Sequence, residues 1–285
     1  MNGSALDAGL RALKEEVSVE LVTTPDVLDQ AYRLRHQVYC VEHDFLTGQN
    51  GVERDEYDEF SNHAVVRWRK SREIVGTVRL VLPKVPVSGD DYPIQHLCDP
   101  ALLRGLPLST IGEVSRFALA KQATKQVRDM SPASCSLLRM ALIQAAVRLS
   151  AEAGHTHWLA VMEPTLLRLL RATGVYFAPL GPLVDYHGLR QPAVAELVPM
   201  LARLAVEQPV VWDFITQSGT WYPASRPKST RFALHAINRA KVAMGALPAV
   251  PMKNPGDTGF QRRFPASAPA VHGAPSASNA AMAID

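Results

Sequence analysis

Residues 112–119 read GEVSRFAL, a run whose apolar and β-favouring members mark a strand and whose Glu113 and Arg116 interrupt what would otherwise be a wholly apolar one. A charge inside such a strand is costly unless it is paired or faces a site. Side chains of a regular strand alternate, so Glu113 and Arg116 fall on opposite faces. For both to line one site, the strand has to carry a bulge between them. The competing account is a structural ion pair between Glu113 and a neighbouring arginine.

Outward from this strand, the pattern alternates between strand and helix periods. Upstream, residues 63–69 and 74–82 predict a hairpin joined by the charged turn Lys70 to Glu73. In its second arm alternation places Val75, Thr77, Arg79 and Val81 on one face, so Arg79 is a second charge in a strand that reads as core. Before the hairpin, Val27, Leu28, Ala31, Leu34 and Val38 share one face of a helix, on which Arg35 and Tyr39, four apart, also share a side. A Pro-containing loop over 83–109 leads into the third strand, near 111–120. Downstream, the stripe Leu137, Leu138, Ala141, Leu142, Ala145, Arg148 and Leu149 predicts a helix over about 133–153, with Gly154 as its stop. The strand THWLAVM (156–162), a helix opened by Pro164 and closed by Gly174, the strand VYFAPL (175–180) and a helical stretch near 199–217 follow. This order predicts an α/β (α+β) domain, a mixed sheet flanked by helices.

Four segments result: an N-terminal extension over 1–17, the domain over 18–224, a short basic helical extension over 225–249 and a Pro/Ala/Ser-rich tail over 250–285. The tail has too few large apolar groups to offset the entropy of ordering it, which predicts disorder. With 47% hydrophobic residues, the rest has ample material for a core. The net charge of +3 gives no support to a nucleic-acid role. No apolar run reaches the roughly 18–20 residues of a membrane span, and the start carries neither a signal pattern nor a glycine at position 2. Three widely separated cysteines, Cys40, Cys98 and Cys135, fit a reducing compartment. A soluble, cytoplasmic protein is expected.

The stretches RLRHQVYCVEHDF (33–45), ERDEYDEFSNHAVV (53–66), GTVRLVLP (76–83) and IGEVSRFALAK (111–121) resemble the acyl-homoserine-lactone synthases. They resemble more closely the N-acyl amino acid synthases and the acyltransferases associated with exosortase and PEP-CTERM sorting systems. The later segments 156–182 and 184–197 are similar to that last group in particular. The resemblance covers roughly residues 18–224 and implies a GNAT-like, mostly antiparallel central sheet. It implies a bulge in the GEVSRFAL strand that splays two strands apart, opens a slot for an acyl chain and frees a backbone N–H for the thioester carbonyl. It also implies Glu113, Ser115 and Arg116 as catalytic residues. Arg35, Tyr39, Asp55, Asp58 and Arg79 are implied to bind substrate, the two aspartates holding the acceptor's amino group. On the residues alone, Arg35 reads as surface arginine, and Asp55 with Asp58 as a solvated acidic loop.

GNAT enzymes that use coenzyme A typically carry a glycine-rich loop before the next helix, where backbone N–H groups cradle pyrophosphate. The corresponding KQATKQVRDMSPAS (121–134) has no glycine. The homoserine-lactone synthases depart similarly and commonly draw on acyl carrier protein, so the resemblance implies that partner; since it is acidic, Lys121, Lys125, Arg128 and also Arg139 are candidate docking residues. The implied function is transfer of a fatty acyl group from an acyl carrier protein or CoA thioester, a co-substrate rather than a bound cofactor, to the amino group of an amino acid. A true homoserine-lactone synthase acting on S-adenosylmethionine is the alternative within the same chemistry. A non-catalytic acyl-binding module and a scaffold component of surface export are alternatives outside it. His155 and His157 lack the third ligand that a zinc site needs, so no metal is expected. His187 and Arg190 match the exosortase-associated group but are equally explained by a glycine-containing loop. Cys40 and Cys135 have no partnered histidine in view, and no nucleophile elbow or dinucleotide fingerprint occurs.

Overall fold

The computed structural model describes residues 3–84, 91–123, 125 and 134–222; the extension over 225–249 and the tail over 250–285 lie outside them. The chain opens with helix α1 (Gly3–Glu16), strand β1 (Val17–Leu21) and helix α2 (Pro25–Arg35), which runs into a π-helical turn, His36–Glu42. Strands β2 (Ser61–Trp68) and β3 (Ile74–Val81) form the expected hairpin, and β4 (Ile111–Leu119) carries the GEVSRFAL sequence. Helix α3 (Ser134–Ala153), strand β5 (His157–Met162), helix α4 (Pro164–Ala172), the short strands β6 (Ala178–Pro179) and β7 (Val184–Asp185), strand β8 (Leu189–Glu196) and helices α5 (Leu197–Glu207) and α6 (Pro209–Thr216) complete it.

The strand order is β1-β2-β3-β4-β5-β8-β6, with β7 pairing β8 off this path. Every neighbouring pair is antiparallel except β4 and β5, which run parallel and so need a crossover. Helix α3 supplies it. Its Leu137, Leu138, Ala141, Leu142, Ala145, Ala146 and Leu149 are all buried in the main core, together with Ala64, Val78, Leu80, Val114, Phe117 and Trp158 from one face of the sheet. The other face carries a smaller cluster, Val81, Ile111, Leu159 and Val161 with Tyr92 and Ile94 from the loop before β4. Strand β5 is covered on both faces, which is why its sequence is almost continuously apolar. No helix among the described residues is long and apolar enough to cross a membrane.

Several expectations change. Residues 3–16, read as part of an extension, form a helix whose Leu10 and Leu13 are in the main core. Val75 does not share a face with Thr77, Arg79 and Val81: the β2–β3 register shifts between Val66 and Arg67, Val75 is the extra residue, and it turns into the α3 core. The strand expected over 175–180 shrinks to Ala178–Pro179, and its place beside β5 is taken by β8, whose Pro192 and flanking polar residues hide the pattern. The helical stretch near 199–217 is two helices, divided before Pro209.

Both predicted glycine stops hold. After α4, Val175 N–H donates to Leu170 O at 3.0 Å and Gly174 N–H to Arg171 O at 3.0 Å, with Gly174 at φ +89°. This is the paired closure that a left-handed residue makes possible. A Cβ on Gly174 would also lie 2.3 Å from a Leu204 methyl. Gly174→Ala is therefore expected to cost at least about 1–2 kcal/mol, the penalty of a left-handed L-residue. The loss should appear as a lower urea midpoint with an unchanged slope.

Candidate active site

Six charged side chains meet under α2, on the sheet face opposite α3. Arg35 ends α2, where it is wholly buried. Its Nε donates to Glu53 Oε2 at 2.5 Å, and its two terminal nitrogens grip Asp58 at 2.7 and 3.0 Å. Arg79, directly opposite Ser115 across the β3–β4 ladder, donates through Nε to Ser115 Oγ at 2.9 Å. Its Nη1 reaches Asp55 at 2.5 Å and Asp58 at 2.9 Å. Arg116 closes the ring, with Nη2 at 3.0 Å from Glu53 and 2.9 Å from Asp55. Three guanidinium groups thus meet three carboxylates. The acidic stretch is held for this purpose: Asp55 accepts from Tyr57 N–H and Asp58 from Asp55 N–H, a capping box on the short helical turn Glu56–Phe60.

Arg116 reaches the network because β4 is bulged. Between Thr77↔Ala118 and Arg79↔Ser115 the register uses one more residue on β4 than on β3, and Arg116 sits at φ +49°. Val114 and Phe117 point into the α3 core. Ser115 and Arg116 both face the arginine–carboxylate network. Tyr39, in the π-helical turn, lies beneath Arg116, with the guanidinium 5.6 Å from its ring centre. The bulge has a second consequence on the other edge of β4. Pairing with β5 covers only Ile111↔His157, Gly112↔Trp158 and Glu113↔Leu159. Beyond Glu113 the ladder ends and the two parallel strands part.

Glu113 stands at that parting and is completely buried. Its Oε2 accepts from Ile94 N–H at 3.0 Å, while Oε1 has no hydrogen-bond partner. No ion pair involves it among the described residues; the arginines are taken by Glu53, Asp55 and Asp58. The structural ion pair weighed for Glu113 is thus absent from this part of the molecule. Burial pushes the Glu113 carboxyl up to about 8. The network acids behave oppositely. Burial alone would raise Glu53, Asp55 and Asp58, but the adjoining guanidinium groups outweigh it and hold all three below the usual carboxylate range. Arg79 Nη2 is the other buried polar atom on this face that lacks a partner, along with both nitrogens of His63. Asp55, with 27% of its side chain exposed, is the network's outlet to solvent.

The structure therefore brings Arg35, Tyr39, Asp55, Asp58, Arg79, Ser115 and Arg116 into one cluster, with Glu113 on the same sheet face but not hydrogen-bonded to it. Arg35, read from pattern alone as a surface group, is the deepest member. Lys121 follows β4 and is exposed; its N–H groups are engaged by Glu42. Lys125 is exposed, Arg139 lies on α3, and Arg128 is outside the described residues. His155 precedes β5 while His157 begins it, and no metal-holding group of three occurs among the described residues. Burial raises the thiols of Cys40 and Cys98. Sequence reasoning overlooked Glu53 and His63. Three arginines in apolar settings require three carboxylates, and the run ERDEYDE that supplied Asp55 and Asp58 begins with Glu53.

Residues 34–129 match the family model described as an acetyltransferase (GNAT) domain, a span that holds the whole network and both strands of the bulged pair. An acyl-homoserine-lactone synthase of Acinetobacter baumannii is 27% identical over 163 residues, 56% of this chain and 84% of that protein. Among solved structures, BjaI, a CoA-dependent acyl-homoserine lactone synthase with SAM and isopentyl-CoA, matches with a TM-score of 0.51 at 23% identity, covering 79% of this chain and 99% of that one. TofI, in a ternary complex with an inhibitor and MTA, matches with a TM-score of 0.50 at 22% identity over 68% of this chain and 99% of that one. The latter two likenesses concern the fold. The class these likenesses support is that of an acyltransferase, with residues 34–129 similar to a GNAT domain. Within it, the chain is similar to the acyl-homoserine-lactone synthases.

Removing Glu53 leaves Arg35 and Arg116 short of a buried counter-charge. Glu53→Ala is expected to cost roughly 3–5 kcal/mol, as breaking one side of a buried pair does, measured by urea unfolding. His63 contributes one acid-sensitive part of the stability. Burial lowers its pKa to about 4 from 6.5, so the unfolded chain takes up its proton sooner and this contribution is lost as pH drops below 6.5 towards 4, whereas Glu113, whose folded pKa is raised, contributes the opposite slope between about 8 and 4.5. The depressed carboxylates add their loss only at lower pH. The stability of His63→Gln relative to wild type should therefore rise as pH falls from 7 to 4 in unfolding curves recorded across that range.

Proposed function

We propose that the chain transfers a fatty acyl group from the thioester of an acyl carrier protein to the amino group of an amino acid, in the cytoplasm. The observation that carries this reading is Glu113: buried, unpaired at Oε1, and set where β4 and β5 separate. A thioester carbonyl held at the head of that split meets a carboxyl whose affinity for a proton suits general base work near neutral pH. The acceptor amine is drawn by Asp55, the solvent-facing carboxylate of the network. Its carboxylate is met by Arg79 Nη2, since the remaining donors of Arg79, apart from that to Ser115, are engaged by Asp55 and Asp58.

The amine nitrogen attacks the carbonyl carbon and its proton passes to Glu113 Oε1, directly or through one water. The C–S bond then breaks, and the thiolate leaves and takes up a proton, so an amide and a free thiol are formed. A strand N–H beside the bulge is a preorganised donor for the oxyanion, a contact whose removal costs about 3–4 kcal/mol in other enzymes. Arg35, Arg116 and Tyr39 position the acidic stretch. Lys121, just after β4, and the exposed Lys125 favour an acidic carrier, and Arg128 in the same sequence segment adds a third basic group. Segments 156–182 and 184–197 keep the proposed kinship with exosortase- and PEP-CTERM-associated acyltransferases.

A second reading, acylation of S-adenosylmethionine followed by lactone closure, is favoured by the similarity to the Acinetobacter baumannii synthase. Incubation of an acyl carrier thioester with amino acids or with S-adenosylmethionine, followed by mass spectrometry, separates the two: an acyl amino acid supports the first and an acyl lactone the second. Absence of both overturns acyl transfer. Glu113→Gln, which keeps the shape, should lower single-turnover rates by about 10²–10⁴ and remove the rise in rate as pH approaches about 8. Near-normal turnover in a folded Gln variant would take Glu113 out of the mechanism.

A further inference from the structure

Glu113 receives one hydrogen bond among the described residues, from Ile94 N–H to Oε2 at 3.0 Å. The short helical turn Pro93–His96, in the loop before β4, puts that donor in place. The start of a helical turn leaves N–H groups without partners inside it. Pro93, at the first position, has no N–H to satisfy. Gln95 N–H is taken by Tyr92 O at 3.0 Å. Gln95 then reaches back: its Oε1 accepts from Asp91 N–H at 2.7 Å and from Tyr92 N–H at 2.8 Å, one half of a capping box. Ile94 N–H is the donor that this closure leaves over, and it points out of the turn onto Glu113.

The turn is also fixed to the strand that carries Glu113. Tyr92 is wholly buried, and its hydroxyl lies 2.9 Å from Leu108 O and 2.8 Å from Ile111 O, at the entry to β4. Its ring and Ile94 pack in the smaller core cluster with Ile111 and with Leu159, the residue paired with Glu113 on β5. Asp91 Oδ1 accepts from Lys84 N–H at 3.1 Å, shortly after β3. Within this assembly Gln95 makes the polar closure. Without its Oε1, two N–H groups beside a buried phenol lose their acceptor, and the turn has to open or rotate to find water for them. Either movement takes Ile94 N–H off Glu113.

That contact does two things. A donor on Oε2 makes the two oxygens of Glu113 unequal and leaves Oε1, which has no partner, as the one free to take a proton. It also favours the ionised carboxylate. Among the influences that oppose the upward push of burial, the Ile94 N–H is the largest, ahead of the charges of Arg79 and Arg116. We propose that Gln95 is a positioning residue, closing the turn so that Ile94 N–H stays on Oε2 of Glu113 and Oε1 takes the proton of the acceptor amine. This rests on the acyl-transfer reading and adds to it the group that orients its base.

The test follows the ionisation of Glu113 by infrared difference spectra against Glu113→Gln, alongside pH–rate profiles. Gln95→Met, which keeps the side-chain length and removes the acceptor, should move the midpoint of the protonated-carboxyl band up by about 1–2 pH units, the loss of one hydrogen bond to a charged group. Turnover at neutral pH should fall about 10- to 100-fold with KM for the acceptor unchanged, and should recover towards the wild-type rate as pH is raised to about 10. A merely structural defect would not be repaired by alkali. Gln95→Glu, which keeps an acceptor, should lie closer to wild type than Gln95→Met. Replacing Ile94 by its α-hydroxy acid analogue turns the N–H into an ester oxygen with every side chain kept, and should move the midpoint the same way. If Gln95→Met does not fold, Gln95→Ala takes its place. An unmoved or lowered midpoint in the folded Gln95 variant or in the ester, or a loss of turnover that high pH does not recover, overturns the proposal. If the wild-type chain acylates no amine, the acyl-transfer reading fails, and the midpoints alone decide whether Gln95 holds the Ile94 N–H on Glu113.

Discussion

Three guanidinium groups cannot be withdrawn from water unless three anions go with them, and the architecture around the site follows from that requirement. Arg35 comes from the end of a helix, Arg79 from the centre of a strand and Arg116 from a bulge. The acids come from one short segment, Glu53, Asp55 and Asp58, folded against them. Each guanidinium touches two carboxylates and each carboxylate two guanidinium groups, so the charges are balanced and most donors are satisfied. The arrangement fixes α2, the acidic turn, β3 and β4 relative to one another. It also leaves Glu113, a fourth carboxylate on the same face, without a cation of its own.

That omission links the fold to the chemistry. Had an arginine paired with Glu113, its carboxylate would remain ionised and a poor proton acceptor near neutrality. Isolated in apolar surroundings beside Leu159 and Ile94, it is held as the acid up to about 8. The same bulge that carries Arg116 into the network coincides with the loss of β4–β5 pairing beyond Glu113. One extra residue in β4 thus completes the charge balance on one side and opens the sheet on the other.

The hairpin, β4, the long helix α3 and its Gly154 stop were legible because their signals are local: period, turn residues and caps. The bulge was legible in GEVSRFAL, since two charges three apart in an apolar strand cannot otherwise share a face. Strand β8 was not legible. Its central position depends on β5 choosing it over the neighbouring VYFAPL, a tertiary choice that the polar and Pro-containing sequence LRQPAVAE conceals. Helix α1 was passed over because its core contribution, Leu10 and Leu13, is small and depends on α3 and α6 being in place. Glu53 escaped notice for a different reason. Nothing local separates it from Glu56 or Glu59; only the demand of two distant arginines selects it.

The most direct test of this account is the ionisation of Glu113 itself. Infrared difference spectra of wild type and Glu113→Gln, recorded across pH 5 to 9.5, are predicted to contain a protonated-carboxyl band at neutral pH that disappears through about 8 and is missing from the variant. A Glu113 carboxylate already ionised at pH 6 would mean that a cation does reach it, and the separation between the balanced network and a free, proton-accepting carboxyl would be wrong.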